Sequence, residues 1–389
     1  MMLGLLLARA GIRVCVLEKH RDFLRDFRGD TIHPSTLELL HELGLADEFL
    51  RLPHQEVKEI RAQIGDSVLP VADFGRLPVR SRFIAMIPQW DFLDFLGHHA
   101  ARYPGFELHM QSEVTGLIFH GDKVVGAKAE SSRGPLEIHA DLVVGADGRH
   151  SLVRSAAGLE VVDLGAPIDV LWFRLSKRPS DSEASMGRFD RGRIIVMLNR
   201  GDYWQCAFVI GKGSLEALRA QGLEALRRRI AASLPFDGGR MREIASWDDL
   251  NLLTVQVNRL RRWYRDGLLC IGDAAHAMSP VGGVGINLAI QDAVAAANIL
   301  YRGDFGIDRL CAVQRRRALP ARATQAFQVI VQNLILRRVL ADDEEPGAAY
   351  KPPLAVRMLG QFAFLRRIPA RLIGLGVRPE HIRSPAVAS

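Results

Sequence analysis

Gly272-Asp273-Ala274-Ala275-His276-Ala277-Met278-Ser279-Pro280-Val281-Gly282-Gly283-Val284-Gly285-Ile286-Asn287-Leu288-Ala289-Ile290-Gln291-Asp292 follows an apolar segment, Gly267-Leu268-Leu269-Cys270-Ile271, that reads as a buried strand. An acid therefore stands at a strand end, and a proline and three glycines precede a long Ala-rich helix. A carboxylate in that place can accept hydrogen bonds from a polyol. Glycines before a helix let backbone N–H groups close on a ligand, and the helix N-terminus favours a negative or electron-rich group. A flavin presents these needs side by side: a ribityl chain, a pyrophosphate, and a ring edge that becomes anionic on reduction. A lone Gly-Asp pair is more often a plain strand-to-helix turn. Twenty-one residues punctuated this densely favour the flavin.

Upstream, residues 1–10 read as a helix closed by Gly11, and 12–17 as a buried parallel strand ending in Glu18. Helix, glycine turn, strand and terminal acid make up the second half of a Rossmann βαβ unit, in which the acid holds the ribose hydroxyls. The first half is missing: no strand and no G-x-G-x-x-G precede residue 1. The expectation is a dinucleotide fold short of its first strand, with a weakened cradle for the pyrophosphate.

A second motif, Asp147-Gly148-Arg149-His150-Ser151-Leu152-Val153-Arg154, follows the strand-like run 141–146. It suits contact with a dinucleotide at a sheet edge, and Arg149 and Arg154 are candidate phosphate partners; taken alone, a turn with exposed arginines is equally good. Further helices are expected at 34–43, 89–101 and 214–233. Strands are expected near 57–72, 80–87, 106–144, 168–175, 193–199 and 203–211, with a hairpin turn at Gly121-Asp122. From about 308 the chain reads as helical and Arg-rich.

The 389 residues are too many for one ordinary domain. The reading is an α/β fold: a discontinuous Rossmann-like FAD-binding domain (1–165 and 252–305), an inserted β-sheet substrate domain (166–251, with strands near 57–87 contributing), and a helical C-terminal region (306–389). The net charge of +7 comes from dispersed arginines with no nucleic-acid-binding signature beside them, which argues against a nucleic-acid partner. Cys15, Cys206, Cys270 and Cys311 are far apart and mostly in apolar runs. That pattern suggests buried, reduced thiols of a cytoplasmic protein and no metal site. No apolar stretch reads as a membrane span and no signal peptide is expected. The basic, amphipathic segment 358–373 suits docking against the body of the protein, and less commonly a membrane surface.

Together these features resemble the class A FAD-dependent monooxygenases, the para-hydroxybenzoate hydroxylase-like flavoprotein hydroxylases. Glu18 closing its strand, Arg28-Gly29 ahead of the Pro-Ser-Thr-Leu-Glu-Leu-Leu helix, Gln89 after Ile87-Pro88, the Asp147-Gly148 motif and the run from Gly272-Asp273 to Asn287 carry the likeness. The resemblance implies that Glu18 binds the adenosine ribose with Lys19 beside the adenine, and that Arg28 and Gln89 hold the pyrophosphate and ribityl region. It also implies that Asp147 lies near FAD and the nicotinamide, that Asp273 binds the ribityl chain and that Pro280 lines the reactive face. Backbone around Gly283, Gly285, Ile286 and Asn287 would meet the pyrimidine edge.

The implied activity is hydroxylation of an aromatic or polyketide-like substrate with NADPH or NADH and dioxygen, through a flavin hydroperoxide. The cofactor carries the chemistry, so no triad or metal is expected and His276 reads as structural. Trp172, Tyr203 and Trp204 are candidates for an aromatic pocket, with packing the better expectation for at least two of them. A small aromatic or lipophilic molecule is the expected partner, and a homodimer is compatible. A reductase or halogenase built on the same motifs, or a non-catalytic chain with impaired FAD binding, are the competing readings; the Trp-x-Trp-x-Ile signature of the halogenases is absent.

Overall fold

The glycine-rich run joins the buried strand Leu268–Cys270 to the helix Gly285–Leu300, which forms the centre of the molecule. The computed structural model describes residues 1–24, 30–65, 67–182, 185–190, 192–236, 238–332 and 352–387. The central helix is apolar around most of its circumference, as a helix enclosed on all sides must be. It packs between Met2–Arg9 and Ile307–Val331. By length and composition Val281–Leu300 does suffice to cross a membrane, contrary to the sequence reading; however, Val294, Ala296, Ala297 and Leu300 are wholly enclosed, so it serves as a core helix.

Around it the dinucleotide-type sheet is divided. Val14–Leu17 pairs in parallel with Phe106–His109, and Val143–Gly145 pairs in parallel with Leu268–Cys270. Among the described residues these two groups share no hydrogen bonds, and residues of Val14–Leu17 and Val143–Gly145 line the same cavity. Cys15 is exposed there, not buried as expected, whereas Cys206 and Cys270 are buried and all four thiols are free.

A seven-stranded sheet forms the second lobe, in the order 251–253, 168–176, 203–211, 193–199, 186–190, 59–64, 67–73. The early hairpin 59–73 thus joins it, through a parallel pairing of 186–190 with 59–64. Ile84–Met86 instead pairs with Thr31–Ile32 and Gln55–Val57. The strand Met186–Asp190 was not expected from sequence, since Met-Gly-Arg-Phe-Asp lacks a clear alternation.

Alternation along the other strands separates two faces. Leu171, Phe173, Ile195, Met197, Trp204 and Phe208 point outward onto helices 215–221 and 223–231. These helices were expected as one, but Gly222 at φ 88° breaks the run. Val170, Trp172, Ile194, Val196, Ala207 and Val209 point inward over the glycine-rich run and line the cavity.

The C-terminal tail docks on the body, as its amphipathic pattern suggested. Ala370, Ile373 and Leu375 pack with Phe74, Leu77, Ile84 and Met86. Beyond them Glu380 accepts from Arg316 Nε at 2.7 Å and Arg317 Nη1 at 3.3 Å, and Val387 N–H donates to the Arg9 carbonyl.

Candidate cofactor and substrate site

A cavity of about 2400 Å³ runs between the two parallel strand pairs and continues beneath the inner face of the large sheet. Glu18, Lys19, Gln89, Asp147, Asp273, Pro280, Gly283, Gly285 and Ile286 all line it, although they are scattered from position 18 to position 286. Arg28 falls outside the described residues. Asn287 does not line the cavity. Its side chain is committed to bracing: Oδ1 accepts from His33 N at 2.9 Å and Thr36 Oγ1 at 2.8 Å, and Nδ2 donates to the Thr31 carbonyl at 2.9 Å. The start of the central helix is thereby pinned to the segment leading into helix Pro34–Glu42.

At one end Glu18 ends its strand, its Oε1 accepting from His20 N–H at 3.0 Å, while Lys19 pairs with Glu113 at 3.5 Å near solvent. Residues 1–4, at the start of the first helix, also line this end. Helix starts present unbonded N–H groups and attract anions. Nothing in the composition of residues 1–4 marks this contribution, which depends on where the helix start lies in the fold.

At the second motif, Asp147 accepts from Val153 N–H at 3.0 Å, which fixes the turn, and Gly148 takes φ 84°. Arg149 lines the cavity, but Arg154 does not. Arg154 is buried and donates to the carbonyls of Arg149 and Ala274, so it holds the two motifs together and is no phosphate ligand.

At the other end, Gly272 (φ 59°) donates its N–H to Asp292 Oδ2 at 3.1 Å. Gly283 adopts φ 62°, and a Cβ there would lie 2.6 Å from Thr31 Oγ1. Gly285 faces open space, and the helix it begins has neither a side-chain cap nor an acid in its first turn. Its N-terminal dipole is thus left uncompensated at the cavity wall. Two glutamines of helix Ile307–Val331 and Gln332 at its C-terminal end shape the neighbouring loop: Gln325 donates to the Ala277 carbonyl, Gln328 to those of Ser279 and Val281, and Gln332 to Ser279 Oγ. Their 325/328/332 spacing on one helix face was available in the sequence but has meaning only once the partner loop is known.

His276 is structural, as expected. Its Nε2 lies 2.6 Å from Asp292 Oδ2, and Asp292 Oδ1 accepts from Arg317 Nε at 2.8 Å, all fully buried. Burial opposes ionisation of Asp292, but His276 and Arg317 outweigh it and hold the carboxyl below its ordinary range.

Asp30 pairs with Arg200, which follows strand Arg193–Asn199 of the large sheet and also donates to Gln205 Oε1 at 2.9 Å; both line the cavity. Burial raises the Asp30 carboxyl against the pull of Arg200. Of the three aromatic candidates only Trp172 lines the cavity. Trp204 is core and bonds Asp181, and Tyr203 lies under Arg174.

These residues fit a flavin dinucleotide. Gly283 lets the loop close against Thr31, Gly285 leaves open space at the cavity wall, an uncapped helix starts there, and acids stand at both strand ends. Comparison with known proteins agrees. The family model described as FAD binding domain matches residues 1–327, and the chain belongs to this family, the class A FAD-dependent monooxygenases. Its cofactor is FAD. It is 32% identical over 393 aligned positions to 6-methylpretetramide 4-monooxygenase of Streptomyces rimosus, covering 98% of this chain and 91% of that protein. The fold is shared with p-nitrophenol 4-monooxygenase of Pseudomonas putida (TM-score 0.75, 18% identity, 96% and 94% of the two chains). It is shared also with the anhydrotetracycline hydroxylase OxyS of S. rimosus (TM-score 0.74, 22% identity, 97% and 74%).

Proposed function

We propose that this monooxygenase hydroxylates a polycyclic, phenolic substrate of polyketide type, taking electrons from NADPH or NADH. The balance is substrate C–H, dioxygen, reduced nicotinamide and a proton giving C–OH, water and oxidised nicotinamide. When bound, FAD supplies the two-electron exchange with the nicotinamide and the activation of dioxygen. The residues bind, orient and exclude water. Glu18 would accept hydrogen bonds from the adenosine ribose, and Asp273 from the ribityl chain. Backbone N–H groups at Gly285 and Ile286, in the first turn of the central helix, would stabilise negative charge at the pyrimidine edge, with Asn287 bracing that turn from behind. Pro280 would line the reactive side of the ring, and Asp147 would serve the nicotinamide side.

The observation that carries the substrate class is the inner face of the large sheet. Val170, Trp172, Ile194, Val196, Ala207 and Val209 make an apolar roof over the glycine-rich run, complementary in character to a fused-ring substrate. Asp30 with Arg200 places one charged pair at its edge, suited to orient an acidic phenol or enol. The similarity to a pretetramide monooxygenase supports the same class. Four free thiols, two of them buried, support a cytoplasmic enzyme.

The test is a panel of monocyclic and polycyclic phenols with FAD-loaded protein. Nicotinamide oxidation stimulated by polycyclic phenols, with product carrying one added oxygen, is the expected result. Stimulation by single-ring phenols alone would refute the substrate class, and reduction or chlorination without oxygen insertion would point to the reductase or halogenase readings.

A further inference from the structure

The tail segment 352–379 contains five arginines and no acidic residue. Its helices Leu354–Gln361 and Arg367–Gly374 dock on the body through Val356 and Ala370 but leave a second apolar set outward. Leu354 is 71% exposed, Phe364 63% and Ile368 59%, with Met358 and Phe362 beside them. Leu354 and Met358 are one helical turn apart, and the Phe362 and Phe364 rings lie 6.0 Å from each other. Arg357, Arg367 and Arg371 are exposed among these side chains, while Arg366 is spent on the carbonyls of Leu359 and Gly360.

A large exposed apolar patch marks an interaction surface. The charge pattern selects its occupant. A second copy meeting this face across a two-fold axis would bring arginines against arginines, which is unfavourable. An anionic bilayer takes apolar side chains into its acyl boundary and arginines at its headgroups. The face is also the rim of the cavity: Met358 and Ile368 are solvent-exposed and line the cavity, followed inward by Leu365, Leu372 and Ile373.

We infer that residues 354–371 form a membrane-docking face that seats the cavity mouth on an anionic lipid surface, so that lipophilic substrate enters from the bilayer interface. The route rests on the lipophilic substrate class proposed above; the docking itself does not.

Co-sedimentation of the full chain with phosphatidylcholine vesicles, with and without phosphatidylglycerol, tests it without reference to turnover. The wild type should pellet with the anionic vesicles and weakly with the neutral ones. Arg367→Gln with Arg371→Gln should weaken partitioning by about tenfold to thirtyfold. Leu354→Asp with Phe364→Asp should weaken it by at least about tenfold. All four positions are exposed, and if one pair fails to fold the other carries the test. A wild type that stays in the supernatant with both vesicles overturns the inference, as do variants that pellet like wild type. So does a stable dimer in solution that the Leu354/Phe364 pair dissociates, which would assign the face to a second copy. A protein that pellets as expected but hydroxylates no lipophilic phenol retains the docking face and loses only the substrate class.

Discussion

Gly283 and His33 show how single positions hold this site. Gly283 sits at φ 62° with the Thr31 side chain where its Cβ would be. Gly283→Ala should cost about 1–3 kcal/mol of stability and weaken FAD binding, read together from thermal melts with and without FAD. An unchanged melt in both states would mean that the loop relaxes freely. His33 is fully buried; its Nδ1 donates to the Ile373 carbonyl at 2.7 Å, and its Nε2 has no hydrogen-bond partner among the described residues. Burial lowers its pKa from 6.5 to about 4. Between those values the unfolded chain binds the proton and the folded chain does not. Stability is therefore complete above about pH 6.5 and falls as pH drops toward 4, by about 2 kcal/mol at pH 5 from this group alone. Urea unfolding at pH 7 and pH 5 measures it, and His33→Gln should flatten the difference.

At the scale of elements, the central helix is positioned by a buried ionic chain that crosses three segments. His276 and Gly272 meet Asp292, Asp292 meets Arg317, and Arg317 meets Glu380 from the tail. Breaking such a pair leaves an uncompensated buried charge. Arg317→Met should thus destabilise the protein by about 3–5 kcal/mol and loosen the tail, seen as earlier proteolysis beyond residue 352. A variant as stable as wild type would show that His276 alone suffices for Asp292. This chain was not legible from the sequence, where His276 was read as structural without its partners and Arg317 was one arginine among many. The motif elements were legible because each carries its own punctuation: Gly11, Gly44 and Gly148 all adopt the positive φ their places require. Helix 214–233 misled because Gly222 interrupts a continuous apolar periodicity, and periodicity is the stronger local signal.

At the scale of the whole molecule, the sequence singled out candidate cofactor residues, but not the distances between them. Nine of the eleven candidates converge on one cavity, Asn287 braces it from behind, and Arg28 lies outside the described residues. The apolar roof, the Asp30–Arg200 pair between the lobes and the rim built by the tail emerge only from packing, since no local pattern announces which faces will meet. The central claim is that this cavity holds FAD in the chain as it stands. Titrating the purified protein with FAD while following its visible absorbance and fluorescence tests that directly. The account predicts saturable binding at one site per chain, a perturbed flavin spectrum, and affinity lowered about tenfold to a hundredfold in Asp273→Ala. A spectrum that stays that of free FAD throughout the titration would contradict it.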